Sequence, residues 1–301
     1  MDIAITGSTG LIGEALCTSL LADGHRVVRV VRRPPNGADE IGWDPDGDRF
    51  DPADLRGIDA VVHLAGEGIA EKRWTDAQKA RIENSRTKST DLLARRLAEA
   101  DDGPRVFVSG SAIGYYGDRG DEELTEQSPA GTGFLAGVCE RWEAAAEPAR
   151  VGGIRVAHIR TGIVLDSHGG VLAKQLPLFK LGLGGRIAGG DQYMSWIHID
   201  DEVAAIRWVL DHDIEGAVNL TAPTPVTNRA FTDALAKVLH RPSFLTVPGF
   251  GPKVIFGGEL VEELLLASQR VIPQRLTAEG FTFAHASIEP ALRDLLGAPP
   301  G

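Results

Sequence analysis

Hydrophobic residues along the chain fall into two patterns: short continuous runs and longer stretches with helical spacing. The continuous runs occupy 3–5, 26–31, 60–64, 106–109 and 154–159, and the helical stretches between them occupy 11–21, 76–98 and 134–146. Short apolar runs of this kind are typical of parallel strands covered on both faces. Strands that alternate with helices connect through right-handed crossovers, so the pattern predicts an α/β fold with a doubly wound parallel Rossmann sheet.

The pattern changes after residue 165, where glycine pairs at 169–170, 184–185 and 189–190 break the chain into short pieces. We therefore predict two domains, a Rossmann domain over 1–165 and a smaller C-terminal α+β substrate lobe over 166–301. The segment 199–222 is expected to rejoin the sheet, with a helix at 202–210 capped by Asp200 or Asp201 and a strand at 217–220. The segment 41–47 is expected to be a loop.

The first apolar run leads into a glycine-rich loop. Gly7, Gly10 and Gly13 stand where a strand should pass into a helix. In such a unit the glycines permit a tight turn, close approach of a pyrophosphate and close packing of the helix on the sheet. The N-terminus of the helix offers unpaired N–H groups to the phosphates. The candidate dinucleotide-binding residues of this loop are Gly7, Thr9, Gly10, Leu11, Ile12 and Gly13.

The end of the second strand indicates which dinucleotide binds. NAD-binding sites usually carry a carboxylate there, which accepts a hydrogen bond from the ribose 2′-hydroxyl. This chain has Arg32 and Arg33 instead. A guanidinium pairs with a 2′-phosphate, which a carboxylate would repel. The sequence therefore favours NADP(H) as the cofactor, with Arg32 as the phosphate ligand.

Ligands of doubly wound sheets bind at the carboxyl ends of the strands. Further cofactor-contacting residues are therefore expected at the ends of the later strands. These are Leu64, Ala65, Gly66, Ser109, Arg160 and Thr161.

Charge and composition restrict the partners. The chain has 301 residues and a formal net charge of −11. An acidic protein does not suit nucleic acid or an anionic membrane, so we expect neither as a partner. The two cysteines, Cys17 and Cys139, suggest no disulfide framework, and we find no spacing typical of a metal site. A cytoplasmic location is expected, and the sequence leaves the oligomeric state open.

Several blocks in order resemble the extended short-chain dehydrogenase/reductase superfamily, over nearly the whole chain. They are 6–13, 61–66, 108–117 and 196–201. The blocks 64–69, 72–74, 85–86, 181–185 and 272–276 are similar to an atypical subgroup, the nucleoside-diphosphate-sugar epimerase-like proteins of epimerase family 39U type. The resemblance implies an NADP(H)-binding Rossmann fold and adds Arg86 to the cofactor candidates. It implies no particular substrate.

The chain departs from the superfamily at the catalytic pair. Active members carry Tyr-x-x-x-Lys on the helix after the serine-containing strand, where the lysine lowers the pKa of the tyrosine that transfers the proton. Here that pair becomes either Phe134 with Val138 or Leu135 with Cys139. The superfamily's catalytic serine falls at Ser111 or at Ala112, depending on register. We name Ser111 and Tyr116 as candidate catalytic residues.

Two functions are consistent with these observations. The first is an NADP(H)-dependent oxidoreductase or epimerase-like enzyme acting on a small polar substrate, such as a nucleotide sugar or another carbonyl compound. The second is a catalytically silent NADP(H)-binding sensor or interaction module. Loss of the Tyr-Lys pair favours the second function, whereas retention of a substrate lobe favours the first.

Overall fold

The computed structural model describes residues 1–248, 253 and 257–299. The strands are β1 Asp2–Thr6, β2 Arg26–Val31, β3 Glu40–Gly42, β4 Ala60–His63, β5 Val106–Ala112, β6 Glu123–Leu124, β7 Arg155–Thr161, β8 Ile163–Leu165, β9 Gly185–Ile187, β10 Tyr193–Met194, β11 Trp196–His198, β12 Gly216–Leu220, β13 Val226–Thr227, β14 Leu245–Val247 and β15 Arg270–Val271. The α-helices are α1 Leu11–Ala22, α2 Asp76–Glu99, α3 Phe134–Ala144, α4 Glu147–Val151, α5 Gly170–Lys180, α6 Ile199–Asp211, α7 Asn228–Val238, α8 Gly258–Val261, α9 Gln274–Ala278 and α10 Ile288–Leu295. Short 3₁₀ turns lie at Pro52–Leu55 and Ile113–Tyr116, and a π-helical turn at Glu262–Leu266 follows α8.

The central sheet has seven strands in the order β12-β7-β5-β4-β1-β2-β3. Every neighbouring pair in it is parallel. Apolar side chains of α1 and α6 form one buried layer against the sheet, and those of α2 and α4 form another against the opposite set of strand side chains. The predicted doubly wound parallel sheet is thereby confirmed.

The prediction of a loop over 41–47 was wrong at its start, because β3 runs from Glu40 to Gly42 and pairs with β2. Ile41 is buried in the same layer as α2. A strand of three residues is too short to show a period in the sequence. Only its pairing with β2 reveals it as the edge of the sheet.

The two longest helices differ in how their caps relate to the sequence. Thr75 caps α2, since its side chain accepts the backbone N–H of Gln78 at 3.2 Å. The cap of α6 was wrong: the helix begins at Ile199, and the Nδ1 atom of His198 accepts the N–H of Asp200 at 3.1 Å. The buried carboxylate of Asp201 instead accepts two backbone N–H groups from the loop before α10, at 2.8 and 2.9 Å.

The chain beyond β8 builds a second apolar core. It joins α5, α7 and α10 to the buried indole of Trp196 on β11. As predicted, β12 returns to the sheet, beside β7, while α6 packs against α1. The domain boundary at residue 165 stays a prediction. Among the described residues, no helix has both the length and the apolar character needed to cross a bilayer.

Candidate functional site

The glycine loop brings three backbone segments into contact at the carboxyl edge of the sheet. Gly7 has φ +66°, and a Cβ atom added there would lie 2.8 Å from the carbonyl carbon of Leu64. A Cβ atom on Gly13 would lie 2.2 Å from the carbonyl oxygen of Gly7. Such distances exclude side chains at both positions, so the loop after β1, the first turn of α1 and the loop after β4 share one narrow cradle. The N-cap of α1, Gly10, provides no side-chain cap, which leaves the first N–H groups of the helix for a ligand.

A buried hydrogen-bond chain fixes the β4 side of this cradle. The Thr6 hydroxyl oxygen accepts the N–H groups of Leu64 and Ala65 at 3.1 and 3.2 Å, and it lies 2.7 Å from Nδ1 of His63. Its proton therefore points to Nδ1, which places the ring proton on Nε2, 3.1 Å from the Ser89 hydroxyl. Burial and the charge of Arg86 lower the pKa of His63 to about 3. His63 is thus a neutral structural residue of the strand.

A cavity of about 390 Å³ opens beside the cradle. It is lined by Gly7, Ser8, Thr9, Gly10, Val30, Val31, Arg32, Arg33, Trp43, Leu64, Ala65 and Gly66. The glycine loop, the end of β2 and the end of β4 therefore face one space. A wider hollow of about 860 Å³ lies between α1 and α6, but it shares only Leu11 with the predicted cofactor residues.

The two arginines at the end of β2 differ in their contacts. Arg33 forms a two-point ion pair with Glu40, at 2.5 and 2.7 Å, and these hydrogen bonds lower the pKa of the Glu40 carboxyl. Arg32 is exposed and has no hydrogen-bond or ion-pair partner among the described residues. Arg32 is consequently the guanidinium that remains available to a ligand in this cavity.

Arg86 lies behind the loop that follows β4. Its Nη1 atom donates to the carbonyl oxygens of Glu67 and Ile82 at 3.0 and 3.1 Å. A Cβ atom on Gly66 would lie 3.1 Å from the guanidinium carbon. Burial lowers the pKa of Arg86. Through these hydrogen bonds Arg86 links the loop after β4 to α2. Its assignment to the cofactor stays a prediction.

On the other side of the cradle, Arg160 of β7 and Glu143 of α3 form a buried ion pair. Nε and Nη2 of the arginine donate to the two carboxylate oxygens at 2.8 and 2.9 Å. Burial alone would raise the pKa of Glu143, but the hydrogen bonds and charge of Arg160, together with Ser111, hold it below its usual value. Arg160 was predicted to contact the cofactor. Its Nε and Nη2 donors are instead hydrogen-bonded to Glu143. The cofactor role stays a prediction, because the pair of N–H groups that would bind a phosphate is already occupied.

The candidate catalytic hydroxyls join the same cluster. Ser111 donates to Oε1 of Glu143 at 2.7 Å. The Tyr116 hydroxyl accepts from Nη1 of Arg160 at 3.0 Å and donates to Oδ1 of Asn219 on β12 at 2.7 Å. Tyr116 is fully buried, and burial raises its pKa to about 12. Its proton is thus both hydrogen-bonded inside the protein and hard to remove. Ser109 is also fully buried, with its hydroxyl near the carbonyl of Gly110.

The residues of the two registers for the missing catalytic pair differ in their contacts. A Cβ atom on Gly114, in the 3₁₀ turn that carries Tyr116, would meet Leu135 at 3.4 Å and the Cys139 sulfur at 3.8 Å. Phe134 instead packs edge-to-face on Trp74. Leu135 and Cys139 therefore face the turn that carries Tyr116, while the choice of register stays a prediction, and Leu135 has no proton to transfer. Burial raises the pKa of the Cys139 thiol to about 12, so that it cannot replace a lysine.

The His198 side chain belongs to a cluster with Asp200, His285 and Asp294, whose potential ligand atoms lie within 4.8 Å of one another. The two imidazoles stack at 3.7 Å, and the lone pairs of stacked rings cannot point to one ion. Nδ1 of His198 accepts a backbone N–H, so the ring proton lies on Nε2, which faces Asp294 at 3.3 Å. The cluster joins α6 to α10. The sequence prediction that the chain has no metal site stays a prediction.

Sequence reasoning assigned no role to Glu143, Asn219, Thr6 or Glu202. A signal was present for Glu143, because it lies four residues after Cys139 and so shares the buried face of α3. A carboxylate on an apolar stripe indicates a buried partner. Asn219 and Glu202 gave no such signal, since their partners Tyr116 and Thr161 come from distant parts of the chain.

Two family models match the sequence. The model described as the NAD dependent epimerase/dehydratase family matches residues 3–136. A second model, described as a domain of unknown function, matches residues 247–295. Among curated proteins, an epimerase family protein of Mycobacterium bovis is 45% identical over 96% of this chain and 96% of its own.

Two solved structures are similar over 99% of this chain. The human epimerase family protein SDR39U1, solved with NADPH, has a TM-score of 0.90 and 32% identity, and 99% of it is covered. A nucleoside-diphosphate sugar epimerase from Corynebacterium glutamicum has a TM-score of 0.79 and 39% identity, and the chain spans 58% of its length. These comparisons confirm the resemblance that the sequence motifs indicated.

We expect Gly13→Ala to destabilise the protein by about 2 kcal/mol or more, because its methyl group would overlap the Gly7 carbonyl. Urea unfolding measures the change. The control is Gly258→Ala, where an added Cβ atom has no neighbour within 4 Å. Equal stability of the two variants would contradict the close approach.

Breaking the buried ion pair by Glu143→Gln should cost about 3 kcal/mol, because the Arg160 charge would stay buried without its partner. The matched control is Glu147→Gln, which breaks the exposed ion pair with Arg150 and should cost less than about 1 kcal/mol. Urea unfolding of both variants tests this difference. A loss for Glu143→Gln as small as that of the control would show that the pair is not desolvated.

Proposed function

The chain belongs to the epimerase family that includes human SDR39U1, and from this membership we propose that it binds NADP(H) along the carboxyl edge of its sheet. The observation that carries the proposal is the cradle at Gly7, Gly13 and Leu64, where an added Cβ atom at either glycine would meet backbone. A backbone cradle that has no side chain at these two positions, at the N-terminus of α1, suits a pyrophosphate. Human SDR39U1, which has the same fold, is solved with NADPH.

The residues proposed to hold the cofactor surround the crevice between β1 and β4. The sheet order places β2 on one side of it and β5 and β7 on the other, so the adenosine half would lie toward Arg32 and the nicotinamide half toward Ser109 and Thr161. Bound NADP(H) would supply a hydride. The proposed set is Gly7, Thr9, Gly10, Leu11, Ile12, Gly13, Arg32, Leu64, Ala65, Gly66, Ser109 and Thr161, with Arg86 and Arg160 as supporting residues.

The contacts of Arg32 and Arg33 support NADP(H) over NAD(H). Arg33 is neutralised by Glu40, whereas Arg32 faces the cavity with its donors free among the described residues. A planar guanidinium can bind a 2′-phosphate through two hydrogen bonds. Arg32 would thus select the phosphorylated ribose.

For the reaction, we propose hydride exchange with a small polar carbonyl compound, of the type that a nucleotide sugar provides. A relative 39% identical over this chain is described as a nucleoside-diphosphate sugar epimerase. The C-terminal lobe has its own core and lies against this edge, because Glu263 accepts the N–H groups of Phe134 and Leu135. Since Tyr116 is buried with its proton committed, the proton would come from water or from another group.

One observation favours a second function, an NADP(H)-binding sensor without turnover. In either register of the catalytic pair, Phe134 with Val138 or Leu135 with Cys139, the chain has neither tyrosine nor lysine, and the hydroxyls of Ser111 and Tyr116 are both engaged within the protein. A protein of this kind would bind the cofactor and change its surface without reacting.

We expect Arg32→Asp to weaken NADPH binding by about tenfold or more and to leave NADH binding nearly unchanged, because the aspartate would repel the 2′-phosphate. Fluorescence titration with each cofactor measures both affinities. The control is Arg56→Asp, an equal charge change at an exposed site just before β4, on the opposite edge of the sheet. Unchanged NADPH affinity in Arg32→Asp would refute the assignment of Arg32.

Turnover is tested by following the absorbance of the reduced nicotinamide, with NADPH bound, across a panel of carbonyl compounds that includes nucleotide sugars. The enzyme hypothesis expects oxidation with at least one compound, lost in Gly13→Ala. An epimerisation consumes no cofactor, because the hydride would pass from the substrate to NADP⁺ and back, so it is detected by incubating the NADP⁺-loaded protein with nucleotide sugars and following the appearance of the epimer. Tight NADPH binding with neither oxidation nor epimer formation would favour the sensor.

A further inference from the structure

Glu202 is a fully buried carboxyl group on α6. The Thr161 hydroxyl donates to its Oε1 atom at 2.8 Å. Its Oε2 atom is buried and has no hydrogen-bond partner among the described residues. A buried polar atom without a partner costs free energy and calls for an explanation.

No described ion pair neutralises Glu202. The elements packed against α6 are α1, β5, β7, β8 and β11, and the charged groups that they carry are turned to other partners. On β7, the guanidinium of Arg155 donates to carbonyls at the C-terminal end of α6, whereas Arg160 pairs with Glu143 on the opposite face of the sheet, where His158 also lies, near Glu143 and Glu147. On the other elements, His198 caps α6, Asp23 pairs with Arg207, and Glu14 is exposed. Cys17 is a buried thiol whose pKa is raised mainly by burial.

A carboxyl group in such surroundings favours its neutral form, because ionisation would leave a charge in an apolar layer without a counter-ion. Burial raises the pKa of Glu202 to about 8, although the Thr161 hydrogen bond acts in the opposite direction. At neutral pH, Glu202 is therefore mainly a carboxylic acid.

Glu202 is tied to the predicted nicotinamide end of the crevice through Thr161. Side chains alternate along β7, so Arg160 points to α3 while Thr161 points to α6. Thr161 is the last residue of β7 and lies opposite Ala112, the last residue of β5. Glu202 is therefore hydrogen-bonded to a residue at the carboxyl edge, on the far side of β1, β4 and β5 from the strand that precedes Arg32.

We propose that Glu202 is a positioning residue of the cofactor site, which holds Thr161 in place at the end of β7 while its carboxyl is neutral and shifts it on ionisation. The proposal rests on the NADP(H) binding proposed above. Ionisation would strengthen the Thr161 hydrogen bond, but it would also leave a charge on the unpaired, buried Oε2, so the carboxylate would draw in water or move toward solvent and shift the Thr161 hydroxyl with it. The cofactor therefore binds the protonated form preferentially.

The experiment measures the NADPH dissociation constant from about pH 6 to about pH 10, a range that brackets the titration of the carboxyl. If only the protonated form binds, affinity falls by about tenfold between about pH 7 and pH 9 in the unmodified protein. Glu202→Gln, which keeps the shape and stays neutral, should retain the same affinity at both values. The control Asp211→Asn, an exposed change at the end of α6, should follow the unmodified protein.

A second readout does not involve the cofactor. A folded-state pKa raised from 4.5 to about 8 means that stability falls as pH rises through this interval and is constant above it. The melting temperature of Glu202→Gln should therefore exceed that of the unmodified protein by an amount that grows from about pH 5 to about pH 8. A constant difference would show that Glu202 does not titrate in this interval, and the pH profile of NADPH binding would then have no source in this carboxyl.

The positioning role requires Thr161. Thr161→Val should weaken NADPH binding at neutral pH. It should also abolish the difference in pH profile that Glu202→Gln causes, as a double-mutant cycle measures. An identical pH profile of NADPH binding in the unmodified protein and in Glu202→Gln would overturn the inference while leaving NADP(H) binding intact. Absence of any NADPH binding at neutral pH would instead refute the proposed function.

Discussion

Three backbone segments meet at the carboxyl edge with no side chain between them, and the candidate site depends on this contact. The Gly7 turn touches the loop after β4 on one side and the first turn of α1 on the other. The positions of the Gly7 turn and of the loop after β4 are set by the packing of β1 between β2 and β4. The buried chain from Thr6 through His63 to Ser89 then fixes the loop after β4. The cradle is therefore a property of the core as much as of the loop.

The alternation of side chains along β7 distributes two polar groups to opposite faces of the sheet. Arg160 joins α3, Ser111 and Tyr116 in one buried network, and Thr161 joins Glu202 on α6. Both networks begin at neighbouring residues of the same strand end. A displacement of the end of β7 would disturb both networks, because each contains short hydrogen bonds, which are strong in the low-dielectric interior of a protein.

The sheet and the cradle could be predicted from the sequence because their signals are local. A continuous apolar run predicts a buried strand, and the spacing of Gly7, Gly10 and Gly13 predicts the turn that follows it. The networks could not be predicted in this way. Tyr116 meets Asn219 across 103 positions, and Thr161 meets Glu202 across 41. Nothing near Arg160 in the sequence indicates that Glu143 neutralises it, so its guanidinium was interpreted as a cofactor ligand. The edge strand β3 was missed because pairing alone defines it.

The hydrogen bonds of Tyr116 oppose a role for its hydroxyl as a proton donor, although they do not oppose cofactor binding. Its hydroxyl accepts from Arg160 and donates to Asn219, so both of its hydrogen-bonding roles are filled inside the protein. To serve as an acid it would have to break the bond to Asn219 and leave a buried amide oxygen unpaired, at a cost of about 1–3 kcal/mol. At the positions of the usual pair the chain carries Phe134 with Val138 or Leu135 with Cys139, so it offers neither the tyrosine nor the lysine of the superfamily there. A proton for chemistry at this edge would have to come from water or from another group, so access of water to the edge between β5 and β7 bears directly on whether a bound cofactor can react.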